Sequence, residues 1–175
     1  HERVGAEMVR QRLTALHFSR VEIDSCAVVI ADHMRPHHLH ASFAGQEISR
    51  RARYRFFRDI GGRFFDRPLG IDVLMLSLVD FLGTNAAIDE GEWNAFLVHI
   101  TQLLAFHFSE RALERTIQQP LIDGRALMEA LAIPPGPTVG AILEELGEAQ
   151  AAGEIGSRAE AIALAERLVA QRNLQ

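Results

Sequence analysis

The chain contains no lysine; all 18 of its basic residues are arginine. A planar guanidinium fork suits phosphate, although coding bias would produce the same composition. The single cysteine, Cys26, excludes an internal disulfide and fits a reducing cytoplasm. No apolar run approaches the ~20 residues that cross a bilayer, and no signal-peptide pattern is present, so no membrane contact is expected. Several chemistries are missing as well. The sequence holds no phosphate-binding P-loop, no GxSxG nucleophile turn and no Cys/His zinc spacing. It also has no Asp-x-Asp pair, which the carboxylate cluster of two-metal polymerase chemistry calls for. No catalytic residue is assigned.

What is present is an ordinary globular composition. The 175 residues are 48% hydrophobic and 23% charged, enough for one sizeable core and a small second unit. The net charge of −5 means that any nucleic-acid contact must come from a local basic patch. The chain opens His1-Glu2-Arg3-Val4-Gly5, without Met or a capping residue, as expected for a piece of a longer protein.

Apolar spacing predicts helices almost throughout, hence an all-α fold. The first runs over about 2–16 with Val4, Met8, Val9, Leu13 and Leu16 on one face. The second opens on the capping box Ser19 to Glu22 and ends near His33, with Pro36 as its stop and 37–45 as loop. A third covers 47–60, halted by Gly61-Gly62, and a Phe-rich loop follows. The stretch 71–82 is apolar on nearly every side, which predicts a buried central helix between Gly70 and a stop at Gly83. A long helix over 89–117, with a break near Ser109, completes a first domain of residues 1–119. Pro120 marks the boundary. Residues 120–175 then hold a short helix over 123–132, a Pro-rich connector, and a helical hairpin of 138–152 and 157–171 capped by Ser157 and Glu160.

Three groups of residues could carry chemistry. His1, His33 and Asp80 lie beside or within apolar helices, and His with carboxylate suits a divalent metal. Asp80 must be paired, protonated or metal-bound among its apolar neighbours; histidines at helix ends are often only surface residues. The second group is an arginine cluster. Arg50, Arg51, Arg53, Arg55, Arg58, Arg63 and Arg67 fall within 18 residues, interleaved with Tyr54 and four phenylalanines. On a helix Arg51, Arg55 and Arg58 share a face that could grip a phosphate backbone. The alternative is a solvated face paired with Glu47, Asp59 and Asp66, with the Phe rings in the core. The third group is the pair of Gly-containing helix starts around Arg125 and between Gly136 and Gly140, where free backbone N–H groups can meet phosphate or simply be capped.

Four stretches together resemble the C-terminal part of the bacterial CCA-adding enzyme and poly(A) polymerase family, tRNA nucleotidyltransferases that carry an HD domain. They are HERVGAE at the start, ADHMRP at 31–36, LSLVD at 76–80, and PLIDGRALMEALAIPPGPTVGAILEELGEAQAAGEI from Pro120. The resemblance implies a helical HD-like domain followed by RNA-holding helices. It puts His1, His33 and Asp80 at later positions of the HD metal pattern, with the His-Asp pair that names the domain falling upstream of His1. Asp32-His33 has the reverse order and is no substitute. The implied partners are the 3′ end of tRNA and the parent protein's N-terminal nucleotidyltransferase head; the arginine cluster and the Gly-containing helix starts then give Arg50, Arg51, Arg55, Arg58, Arg125, Gly136 and Gly140 as the expected RNA contacts. That head would use Mg2+; no cofactor is expected in this part beyond a divalent ion at the partial HD site. An HD-type metal-dependent phosphohydrolase and a purely structural helical module are the alternatives.

Overall fold

The computed structural model describes residues 1–84, 87–110 and 120–172, and it is all-α apart from one small hairpin. The chain divides into two compact units, His1–His107 and Phe108–Gln175. Phe106 is the last side chain of the first core, so the division falls ahead of Pro120. The expected continuation of the long helix through Leu113 and Ile117 lies outside the described residues.

Unit 1 begins with α1 (Glu2–Ala15) and α2 (Arg20–Asp32), an antiparallel pair joined by a tight turn. Their close approach depends on small side chains: a Cβ on Gly5 would lie 3.1 Å from Ile30 Cγ2, and neighbouring Ala6 is buried. The predicted apolar face of α1 is corrected here. Val9 and Leu13 are half-buried, but Val4, Met8 and Leu16 are exposed, because α1 packs chiefly on α2 and that contact covers only one narrow side. The Ser19 capping box forms as expected: Glu22 N–H donates to Ser19 Oγ at 3.3 Å and Ser19 N–H donates to the Glu22 carboxylate at 2.8 Å.

Pro36 does not lead into a loop. It occupies the first turn of a new helix, α3 (Arg35–Ser42), where its missing N–H costs nothing and its fixed φ suits the helix. The residue marks a helix start as readily as a stop, and here the start wins. Next comes α4 (Arg50–Ile60), capped by Ser49, whose side chain accepts from Ala52 N–H. Left-handed Gly61 and Gly62 release the chain into a two-residue antiparallel ladder, β1 (Arg63–Phe64) against β2 (Arg67–Pro68). The expected Phe-rich loop is therefore a hairpin with Phe65 at its tip, 85% exposed.

The central helix is α5 (Leu69–Thr84), which runs through Gly83 rather than stopping there. It meets α2, α3 and α4. At Gly70 a Cβ would sit 2.6 Å from the Phe57 ring, so glycine is what lets α4 lie against its start. Val73, Leu74, Ser77 and Phe81 are buried, and Ser77 Oγ satisfies itself on Leu74 O at 2.9 Å. The helix is not buried all round: Met75, Val79 and Leu82 are exposed on the side away from its neighbours. The last helix of the unit, α6 (Glu90–Ala105), is capped by Asp89 and inserts Phe96, Ile100 and Leu103. A five-residue π turn, Phe106–Glu110, follows at the point where a break was expected.

Unit 2 contains α7 (Gly124–Leu131), α8 (Pro137–Ala151) and α9 (Arg158–Arg172). Its core joins Leu127, Ile142, Leu146 and Ile155 with Ala149, Ala161 and Ala165. The alanines are fully buried, so α9 approaches its neighbours on small side chains. Ser157 and Glu160 form the expected capping box.

Candidate nucleic-acid interface

Helix α4 carries five arginines and one aspartate in eleven residues, a strongly cationic segment of a net-negative chain. The interleaved aromatics sort by burial. Phe56 and Phe57 are core residues stacked edge-on at 5.0 Å, and Tyr54 is half-buried beside them. Two of the arginines in the cluster pair with carboxylates that the paired reading named, Glu47 and Asp59, and two more find other partners. Arg53 meets Glu47 and donates to Ile48 O at 2.7 Å. Arg58 reaches Asp59 at 2.7 Å with its guanidinium 5.9 Å above the Tyr54 ring. Arg63 donates to Asp66 O, and Arg67 meets Asp72 at 2.7 Å. Asp59 also receives Arg35 from α3 at 3.2 Å, so two guanidiniums converge on one carboxylate.

Arg51, Arg55 and Arg58 do lie at helical spacing on α4, with Arg55 exposed and the other two half-buried. None of Arg50, Arg51, Arg55 and Arg58 is without a partner. In unit 2, Arg125 lies in the first turn of α7, exposed and paired with Glu129 at 3.3 Å. Asp123 caps that helix by accepting from Ala126 N–H at 2.8 Å. Gly136 is the uncapped residue before α8, and Gly140 lies one turn in. Among the described residues no atom lies within 4 Å of a Cβ built at either, so both leave room for a side chain there.

Of the three expected metal ligands, His1 and His33 meet each other, and among the described residues Asp80 does not complete a three-ligand cluster with them. His33 is buried, with Nδ1 2.6 Å from Ile30 O; its proton therefore sits on Nδ1 and Nε2 is left to accept. His1 Nε2 meets that atom at 3.1 Å. Asp80 on α5 is half-buried, with its Oδ2 3.9 Å from His37 Nε2, and His37 feels the charge of both Asp80 and His33. That separation is electrostatic contact without a hydrogen bond, and His37 Nε2 is buried without a hydrogen-bond partner. Among the described residues no three His, Cys, Asp or Glu side chains gather as a metal site. The residues present do not fit an HD metal ion, and no chemical step is routed through one.

The neighbour of Asp80 is thus a histidine from a stretch that looked like loop. Helix α3 presents His37 and His40 inward, where His37 stacks on Phe96 at 4.6 Å. His40 meets His99 of α6, Nδ1 to Nδ1, at 2.8 Å. His99 Nε2 lies 2.8 Å from Gln46 O and must donate to it. Its Nδ1 is then an acceptor, and His40 is the donor. The sequence signal for these inward histidines of α3 was Pro36 at a helix start with His37 and His40 at one-turn spacing behind it.

Burial holds the His40 imidazole below its ordinary pKa, and the nearby His99 adds to the effect. His37 is lowered mainly by burial, against the pull of Asp80. Both are neutral in the folded state near neutrality. The unfolded chain takes up protons below about pH 6.5 that the folded chain refuses, so stability is full above that value and falls as the pH drops through it. Between about pH 7.5 and 5.5, above the range of ordinary carboxylates, the urea midpoint should fall. His40→Asn keeps a donor toward His99 and removes one titration, so its midpoint should depend less on pH. Identical pH dependence in both proteins would rule out a neutral buried His40.

What the structure defines is therefore a two-unit helical protein with an arginine-rich helix and no described metal centre. No family model matches the chain, and no solved structure matches it. Two curated proteins do. The chain is 32% identical over 169 residues to the A-adding tRNA nucleotidyltransferase of Deinococcus radiodurans, covering 95% of this chain and 34% of that protein. It is 29% identical over 161 residues to the CC-adding tRNA nucleotidyltransferase of Thermus thermophilus, covering 92% and 31% respectively. The chain spans about a third of the length of these relatives.

Proposed function

We propose that this chain is the helical RNA-holding region of a tRNA nucleotidyltransferase, positioning the 3′ end of tRNA for a nucleotidyltransferase head elsewhere in the parent protein. One observation carries this reading: nearly the whole chain aligns with two relatives whose names differ in the nucleotide added, A in one and CC in the other. A region shared across that difference serves what the two reactions have in common, which is the tRNA. Nucleotide choice and the Mg2+-dependent transfer would belong to the head. A cytoplasmic location goes with this role, and among the described residues no helix is long and apolar enough to cross a membrane.

The chemistry of α4 supports the same role. A cationic helix on a chain of net charge −5 gives a local attraction for phosphate without general stickiness. The test is tRNA binding by fluorescence anisotropy, starting at low salt because screening then is weakest. Saturable binding that weakens steeply with salt is expected. No binding at about 50 mM salt would sink the proposal.

A further inference from the structure

A cleft of about 460 Å³ lies between α3 and α4, within the range of small-ligand sites. Its floor is apolar, built from Leu39, Phe43 and the buried Phe56. Its rim carries two guanidiniums, Arg35 on the α3 side and Arg55 on the α4 side, with the His38 ring beside Arg35. The one carboxylate of the rim, Asp59, is already shared between Arg35 and Arg58. Two hydroxyls complete the wall. Ser49 Oγ accepts from Ala52 N–H, which leaves its O–H free to donate into the cleft. Ser42 Oγ donates to His38 O at 2.8 Å, which leaves its lone pairs to accept.

An apolar slot with one donor and one acceptor on its wall and guanidiniums at its mouth matches a nucleobase joined to a phosphate. We propose that this cleft takes one unstacked ribonucleotide of a bound RNA strand, with its base against Leu39 and Phe43 and its phosphate at Arg55 and Arg35. The proposal rests on the RNA-holding reading, since Arg55 belongs both to the cleft and to the α4 face assigned to phosphate. Single-stranded RNA is commonly held this way, by splayed bases on aromatic surfaces and phosphates on arginine.

The test compares a short single-stranded oligoribonucleotide with inorganic polyphosphate of equal charge, using the full chain. Ser42→Trp fills the cleft from an exposed position on α3, and Ala52→Leu fills it from the α4 wall; neither changes charge. Circular dichroism confirms that each variant folds. Both should lose about tenfold in oligoribonucleotide affinity and nothing in polyphosphate affinity. In the wild type, AMP or CMP should shift amide resonances of α3 and α4 that inorganic phosphate leaves in place. If RNA binds equally to wild type and both filled variants, the base pocket is wrong and the RNA-holding reading stands. If neither RNA nor mononucleotide binds at low salt, both fall together.

Discussion

Replacing Arg51, Arg55 and Arg58 together with Gln should flatten the salt dependence of tRNA binding by about two to three units of log–log slope. Each guanidinium that neutralises a phosphate releases condensed counterion, and that contribution carries no sequence information. Raising salt from about 50 to 200 mM should then narrow the affinity gap between wild type and triple variant by about 15- to 60-fold. Helicity should be unchanged, because Gln is a comparable helix former. The three positions are not equal. Arg55 is the most exposed of the three, whereas Arg51 and Arg58 are half-buried, so Arg55 is the most accessible to a phosphate backbone. Among single changes Arg55→Gln should therefore cost the most. In unit 2, Gly140→Glu places negative charge one turn into α8 where no atom obstructs a side chain, and it should weaken binding if that end faces phosphate. Equal slopes for wild type and triple variant would make these arginines a solvated face.

Much of the fold could be read from the sequence because it rests on local signals. Capping boxes at Ser19 and Ser157 and the helical hairpin from Thr138 onward are short-range features, and each forms where expected. What could not be read depended on which neighbour arrives. Apolar pattern marks both sides of α5, yet only the side meeting α2, α3 and α4 is covered. The same holds for Val4 and Met8 on α1. Pro36 was ambiguous for a different reason, since proline is tolerated both just after a helix and in the first turn of the next. Misplacing it hid α3, and with it the histidines beside Asp80 and Phe96 and the wall of the α3–α4 cleft. The arginine cluster was legible as composition, but which carboxylates its members meet required three-dimensional neighbours such as Asp59 and Glu47.

Phe96→Ala should cost about 3–5 kcal/mol of stability, a large share of the roughly 5–15 kcal/mol that holds a typical domain. The ring is fully buried and sits at the junction of three helices. It stacks on His37 at 4.6 Å and on Phe81 at 5.2 Å, and it meets the edge of His40 at 5.4 Å. Truncation removes that burial and leaves a cavity bordered by two imidazoles. Water entering the space would hydrate His37 and His40 and relieve the burial that depresses their pKa values. The variant should therefore be much less stable at neutral pH but lose less additional stability on acidification than the wild type does. Phe96→Leu retains most of the volume and should show a smaller loss with the acid sensitivity largely kept. Urea unfolding at about pH 7.5 and 5.5 measures both effects at once. A loss below about 1 kcal/mol for the alanine variant would mean that α3 is not seated on this ring, and the cleft between α3 and α4 would lose its support.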